Sequence, residues 1–501
     1  MKKKVVIIGA GISGLTAGIY LLDNGFDVEI YEKHTLPGGE CTGWYRDKTF
    51  IDGCAHWIIG VNPKSDLYPS YKHIHLIEDN SKIFLVENFS DFWMNDHKMS
   101  FYSDLNKLNE VLREKYPEDK KMIRRLINGI KAYQHVKIPV KKPLDKMSIF
   151  ELTAFGIKML PMVPHLIKYK RMSIGYFANK FKSTELRNIL PRIMAKKYNV
   201  HSLLYVLQAL TLNDAGVIEG GSLKMALRIA KHFQASGGKL FLNKPVKKIN
   251  IEGKITTGIT LENNVEVKAD YVISSCDINF TLDKLLDNTH VPTYYKNARV
   301  DLKNYPLITG FLFSFKVDKD VNLDSIPTMS DFNLYNPIDI CGDQIKSIAI
   351  RNFAFDKTLS KNGETLITSL TPPLKDFVYE KLKAMDFDSY ITYKNSIGEQ
   401  YRVMISKLIK IPLDKIKLID VATPLTYEYY LNAYRGSYMS YLTTRKSKGL
   451  MNKGIIKGVN NLFLSGQWLM SPGGIPIAVF TGKHAAYRVT RADKKKFKDL
   501  D

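Results

Sequence analysis

Residues 4–32, KVVIIGAGISGLTAGIYLLDNGFDVEIYE, join a strand, three spaced glycines, a helix, a second strand and an acid in one unbroken run. The apolar stretch 5–8 has the length and β-branched content of a buried parallel strand, and residues 15–22 suit the helix after Gly9, Gly11 and Gly14. Each glycine has a physical task. Gly9 permits the tight turn, Gly11 lets backbone approach a pyrophosphate, and Gly14 allows the helix to pack closely on the strand. Phosphates at the start of that helix, beside Ile12 and Ser13, meet unpaired N–H groups and the positive end of the helix dipole. The second strand, 27–31, ends at Glu32, where a carboxylate suits ribose hydroxyls and disfavours a 2′-phosphate. The run therefore predicts an adenine dinucleotide site, with NADP disfavoured. A secretory leader is the competing reading of the basic start. Glycines break the apolar run at once, Asp23 closes the helix and no small-residue cleavage site appears, so none is expected.

Composition narrows the rest. A chain of 501 residues with 45% hydrophobic content has ample core for two or more structural units. The 73 Lys and Arg against 50 Asp and Glu leave a net charge of +23, a field that suits anionic membranes, nucleic acids or anionic ligands. No nucleic-acid-binding motif accompanies it and the basic residues are dispersed, so no nucleic acid partner is expected. Cys41, Cys54, Cys276 and Cys341 show no metal-ligand spacing, which predicts no metal site and a reduced, cytoplasmic setting. No run approaches the roughly 20 apolar residues of a membrane span, so the chain is expected to lie on a bilayer if it meets one.

Beyond Glu32 comes a second glycine-rich loop, LPGGECTGW (residues 36–44), which suggests another close backbone approach to the ligand. From residue 64 the texture becomes mixed and helix-leaning, including 104–115 and 119–133. Residues 152–170, LTAFGIKMLPMVPHLIKYK, are apolar but broken by Gly156, Pro161 and Pro164 and flanked by lysines. They fit either a bilayer-facing element with snorkelling lysines or a pair of short buried helices capping a substrate pocket. Gly220, Gly221 and Ser222 open a helical pattern through Phe233, followed by short strands at 239–242, 246–251, 255–261, 265–268 and 271–274, an antiparallel meander joined to a parallel sheet. A strand is expected at 307–317, a buried strand near 461–467, and a last helix near 477–489 with a solvated basic extension over 491–498.

Four blocks carry a resemblance: residues 5–32; GGECTGWYRDKTFIDGCAHWIIG (38–60); GGSLKMALRIAKHFQASGGKLFLNKPVKKI (220–249); and NLFLSGQWLMSPGGIPIAVFTGKHAA (461–486). With ATPLTYEYYLNAYRGSYMSY (422–441), they cover roughly a quarter of the chain. The chain resembles the FAD-dependent flavoproteins of the amine-oxidase fold, and within them the phytoene desaturase, carotenoid isomerase and retinol saturase branch. The resemblance implies an α/β fold: a Rossmann-type FAD-binding domain, glutathione-reductase-like, with a parallel sheet plus antiparallel meander and an inserted α+β substrate domain. The implied boundaries are 1–63, 215–278 and 422–501 for a discontinuous FAD-binding domain, and 64–214 with 279–421 for the substrate-binding domain.

The resemblance also assigns residues. Gly9, Gly11, Ile12, Ser13 and Gly14 would hold the FAD pyrophosphate, with Glu32 and Lys33 at the adenosine ribose. Gly38 and Gly39 would meet the pyrophosphate and ribityl region, and Val246 the adenine through its backbone. Gly466, Gly474 and Ile475 would lie beside the ribityl chain and flavin ring. A helix N-terminus there would stabilise negative charge on the reduced ring. Two departures stand out: many members have Gly-Gly-Arg where this chain has Gly38-Gly39-Glu40, and an acid where it has Gln467. Both change charge near the cofactor and bear on its redox potential. A simple NAD dehydrogenase would show neither the Gly38 loop nor the C-terminal block.

Among ionisable residues outside the glycine loops, His56 is the candidate for proton transfer, against a structural role in its turn. Cys54 reads as a small buried hydrophobe rather than a nucleophile. Tyr427, Tyr429, Tyr430, Tyr434 and Tyr438 with Arg435 either line a pocket for an extended hydrophobic ligand or pack a core. The expected function is an FAD-dependent oxidoreductase acting on carbon–carbon bonds of a lipophilic, isoprenoid-like substrate by desaturation, saturation or isomerisation, with peripheral contact to an anionic membrane. The redox partner is unspecified. The alternatives are an amine oxidase of the same fold and a flavin-free prenyl-lipid escort module.

Overall fold

The computed structural model describes residues 2–501 except 55, 56, 87, 95, 96, 360–362, 443, 445 and 448–451. Among the described residues, Lys4–Ile8 is the middle of a five-stranded, wholly parallel sheet ordered Lys239–Phe241, Asp27–Tyr31, Lys4–Ile8, Tyr271–Ser274, Leu462–Leu464. These strands come from distant parts of the chain, so the sheet is complete only when both ends of the sequence meet. The first strand is apolar throughout because both its faces are covered. Val5 and Ile7 pack into a core with the helices Ile12–Asp23, Gly221–Ala235 and Ile475–Ala492, while Val6 and Ile8 face the antiparallel strands Val246–Glu252 and Ile255–Leu261. Strand Glu266–Lys268 completes that meander. The protein is thus an α/β fold of the FAD-binding type.

A second, seven-stranded sheet runs in the order Ile416–Ala422, Leu312–Val317, Thr365–Leu370, Asp343–Asn352, Met329–Ile340, Asn88–Met94, His97–Tyr102. Its neighbours pair antiparallel except Met329–Ile340 with Asn88–Met94. The long helix Phe387–Leu408 buries Ile397, Tyr401 and Ile405 against it. A helical cluster that includes Leu105–Lys115, Lys120–Tyr133 and Val200–Thr211 forms a separate core.

Two expectations are corrected. The strand expected at 307–317 begins only at Leu312, because the backbone before it bonds to loops: Ile308 O accepts from Tyr438 N–H and Ser437 Oγ, and Leu374 N–H donates to Thr309 O. The basic end is solvated, but it is not a helix extension. The last helix stops at Ala492 and the chain folds back, with buried Lys483 paired to Asp499 (2.6 Å) and Asp501 (2.5 Å), and Lys498 N–H donating to Asn24 Oδ1.

Candidate active-site cavity

The segments singled out in the sequence converge on one cavity of about 2380 Å³. Gly9, Gly11, Ile12, Ser13, Glu32, Lys33, Gly38, Gly39, Val246, Gly466, Gly474 and Ile475 all line it. Gly14 does not; it sits behind the wall, where a Cβ would meet Gly9 O at 2.1 Å. Its role is the close helix–strand packing the spacing predicts. His56 lies outside the described residues, between Cys54 and Trp57, which both line the cavity.

The two glycine loops form a seam of bare backbone. Gly11 and Gly38 bridge in parallel, Gly38 N–H donates to Ala10 O at 2.8 Å, and a Cβ on Gly39 would stand 3.2 Å from Gly11 Cα. At this seam the first helix begins with Gly11 as its N-cap, without a side-chain cap or an acid in its first turn. Its first N–H groups are therefore free of side-chain competition for an anion. Buried Ser13 Oγ has no hydrogen-bond partner, an orphan that a phosphate oxygen would satisfy. Glu32 is braced rather than free: its carboxylate accepts from Ala10 N–H and His34 N–H, both at 2.8 Å, and keeps lone pairs for hydroxyl donors. These features fit the diphosphate and ribose of FAD. Lys33 is turned elsewhere, donating to Tyr429 O (2.9 Å) and Asn432 Oδ1 (2.8 Å) and so pinning the end of helix Pro424–Leu431 beside Glu32.

Elsewhere in the lining, Gly474 caps the last helix, Ile475–Ala492, and its N–H donates to Gln467 Oε1 at 2.9 Å. Gln467 Nε2 donates to Glu40 Oε2 at 2.6 Å and to Tyr438 O at 3.3 Å. The two residues that depart from the family pattern are therefore hydrogen-bonded to each other. Burial pushes the Glu40 carboxyl up to about 8, against the lowering effect of the Gln467 bond. Near neutral pH Glu40 is mainly a neutral acid, and the pair carries little net charge. Nothing in the sequence alone signals this pairing, because 427 positions separate the partners.

The tyrosine cluster divides. Tyr427 and Tyr438 line the cavity with ring centroids 6.0 Å apart, and burial raises both phenols far above their ordinary range. Tyr429 and Tyr430 stand edge to face at the exposed rim. Tyr434 packs against Tyr441 in the core, and Arg435 leaves for Glu380 and the face of Tyr379.

Sequence reasoning missed two buried charges in the wall. Asp52 is raised by burial, and Arg351, pushed down to about 10 by burial, opposes that shift. Arg351 comes from a strand in the middle of the chain, where no motif marks it.

The segment expected at 152–170 forms helices Ile149–Met159 and Val163–Tyr169 joined by a short turn. Phe155, Met159, Met162 and Leu166 line the cavity, so the pair does cap it. It is not buried, however: Ile149 is 75% exposed, Phe150 83%, Ile157 60% and Ile167 72%. Among the described residues no helix is long and apolar enough to cross a membrane, and no cluster of three or more His, Cys, Asp or Glu could hold a metal.

The sequence pattern of the flavin containing amine oxidoreductases matches residues 12–317, more than half of the chain. Over 99% of its length the chain is 20% identical to a 4,4'-diaponeurosporene oxygenase of Staphylococcus haemolyticus, covering 98% of that protein. It is 23% identical to a 1-hydroxycarotenoid 3,4-desaturase of a Flavobacterium species, covering 97% of this chain and 98% of that one. It is also 23% identical to a prolycopene isomerase of an Oncidium hybrid, covering 97% and 83%. Among solved structures, a putrescine oxidase superposes with a TM-score of 0.60 at 13% identity over 98% of this chain and 99% of that one. Cyclohexylamine oxidase from Brevibacterium oxydans gives 0.58 at 12% over 99% and 100%; these two show the fold. The chain belongs to the flavin containing amine oxidoreductase family and is an FAD-dependent oxidoreductase.

Proposed function

We propose that this oxidoreductase acts on carbon–carbon bonds of an extended isoprenoid hydrocarbon, by desaturation, saturation or isomerisation. The observation that carries the reading is the cavity. At about 2380 Å³ it exceeds the roughly 300–1,000 Å³ of an ordinary ligand pocket, which leaves room for a dinucleotide and a second, long ligand. Its lining joins the bare backbone of the glycine seam to the apolar side chains Phe155, Met159, Met162 and Leu166. The full-length relatives named for carotenoid desaturation and isomerisation support the same substrate class.

The cofactor would be held by backbone at Gly9, Gly11, Ile12, Ser13, Gly38, Gly39, Gly466, Gly474 and Ile475, by the Glu32 carboxylate at the ribose, and by Val246 at the base. When bound, FAD supplies the two-electron chemistry. The chain's own part is to orient an apolar carbon skeleton between aromatic walls such as Tyr427 and Tyr438 and to exclude water. His56 is kept as the proton-transfer candidate, and neutral Glu40 holds a further proton at the cavity wall. Segments 1–63, 215–278 and 422–501 would form the cofactor domain, and 64–214 with 279–421 the inserted α+β substrate domain. In support, every strand of the parallel sheet lies in the first set.

The exposed apolar face of helices Ile149–Met159 and Val163–Tyr169, ringed by Lys146, Lys158, Lys168, Lys170 and Arg171, supports docking on an anionic bilayer, with the cavity opening beneath. Flotation with anionic vesicles at low salt tests this: the protein should float and a Phe150→Asp, Ile157→Asp variant should not. Equal flotation of both removes the docking face. Incubating the FAD-loaded protein with acyclic polyene hydrocarbons and with polyamines tests the substrate. Altered polyene absorbance without hydrogen peroxide is expected, whereas peroxide from amines with unchanged polyenes would turn the reading to an amine oxidase.

A further inference from the structure

Cys41 and Cys54 lie across the open end of a hairpin that forms part of the cavity wall. Strands Gly43–Arg46 and Thr49–Asp52 pair antiparallel with Gly43 opposite Asp52. The register continues one step further: Gly53 N–H donates to Thr42 O at 3.0 Å. Thr42 N–H turns back to Glu40 O and Cys41 N–H to Gly38 O, so the single Gly53–Thr42 bond holds Cys41 and Cys54 alongside each other just beyond the ladder. Their Sγ atoms are 3.7 Å apart and both residues line the cavity beside Gly38, Gly39 and Glu40. Closing this gap to a disulfide's about 2.05 Å is within the reach of χ1 rotation.

We propose that Cys41 and Cys54 are a dithiol/disulfide couple that exchanges an electron pair with the bound FAD. The inference rests on the cofactor contacts proposed above for Gly38, Gly39 and Gly474. In the forward direction two S–H bonds break, one S–S bond forms, and the two electrons and two protons released are taken up by oxidised FAD; the reverse restores the thiols. The surroundings favour an internal acceptor over adventitious oxidation. Cys41 is buried, and contact with Cys41, burial and the nearby Asp52 and Glu40 carboxylates hold the Cys54 thiol well above its ordinary value. A neutral, shielded thiol reacts slowly with bulk oxidants. The couple would give the protein a second two-electron store in the wall of its active-site cavity.

Anaerobic reductive titration tests this directly. After oxidation with diamide and removal of the reagent, the FAD-loaded protein should take up four electrons per FAD, and Cys54→Ser only two. Quenching in acid and alkylating before reduction should leave two fewer modifiable thiols than in the reduced protein, and peptide mapping should join Cys41 to Cys54. The same mapping on flavin-free protein equilibrated in glutathione buffers, with Cys41→Ser as comparison, decides the thiol pair independently of cofactor binding. Uptake of two electrons by the oxidised wild type, or four free thiols in both forms, overturns the couple. If reduced FAD leaves the disulfide intact and the dithiol leaves oxidised FAD unreduced, both without oxygen, the exchange is overturned. Failure of the protein to retain FAD, with the disulfide present, refutes the cofactor contacts and not the pair.

Discussion

Replacing Glu40 by Gln keeps the shape and the hydrogen-bonding capacity of a neutral acid while deleting its proton equilibrium. In the folded protein the carboxyl loses its proton at about 8; in the unfolded chain it does so near the ordinary 4.5. Between those values the folded state binds one more proton than the unfolded state, so stability falls with rising pH by about 1.36 kcal/mol per pH unit. The full effect from pH 4.5 to 8 is at most about 5 kcal/mol, and from pH 6.5 to 8 about 2 kcal/mol. The upper window isolates Glu40. Asp214 and Asp277, raised to about 6, complete most of their effect below it, and His201 and His484, lowered to about 4, stop contributing above the ordinary histidine value of 6.5. The assay is urea unfolding of the flavin-free proteins across that window. The wild-type minus Glu40→Gln difference in unfolding free energy should fall by about 2 kcal/mol from pH 6.5 to 8. A difference that stays flat means Glu40 is already ionised at neutral pH, which would refute the neutral Glu40–Gln467 pair.

Two further outcomes follow from the packing. Gly14→Ala drives a Cβ to 2.1 Å from Gly9 O, so the first helix must retreat from its strand. The cost is about 1–3 kcal/mol, and the flavin-to-protein absorbance ratio after gel filtration should drop; an unchanged ratio would mean the helix start does not depend on that contact. Lys483→Met removes the fully buried cation facing Asp499 and Asp501, and should destabilise by about 3–5 kcal/mol in urea or thermal unfolding. A loss below about 1 kcal/mol would show that the folded-back end of the chain is not anchored there.

Local pattern carried much of the fold. Lys4–Ile8, Ile12–Asp23 and Asp27–Tyr31 stand where the glycine spacing and apolar runs put them, because each is decided by contacts within thirty residues or by backbone sterics that only glycine relieves. The meander after Gly237 was legible for the same reason, since alternation and turn residues specify short antiparallel strands locally. The strand expected from Leu307 was not, because its first residues satisfy their backbone through Ser437, Tyr438 and Leu374, partners remote in sequence. At the end of the chain the basic stretch is exposed as its charge suggests, but it does not extend the helix, because the aspartates beyond it turn back to a lysine that the helix Ile475–Ala492 buries.

The cofactor class and the set of segments that line the cavity were legible in the chain, since turn, helix and strand chemistry are written in neighbouring residues. Tertiary structure alone decided which side chains meet there. It set Glu40 against Gln467, Cys41 beside Cys54 and Lys33 on Asn432, and it turned helix Ile149–Met159 so that one side roofs the cavity and the other faces solvent. The physical reason is burial. A group's ionisation and its partners depend on how completely water is removed around it, and that is fixed only when segments hundreds of residues apart close on one another.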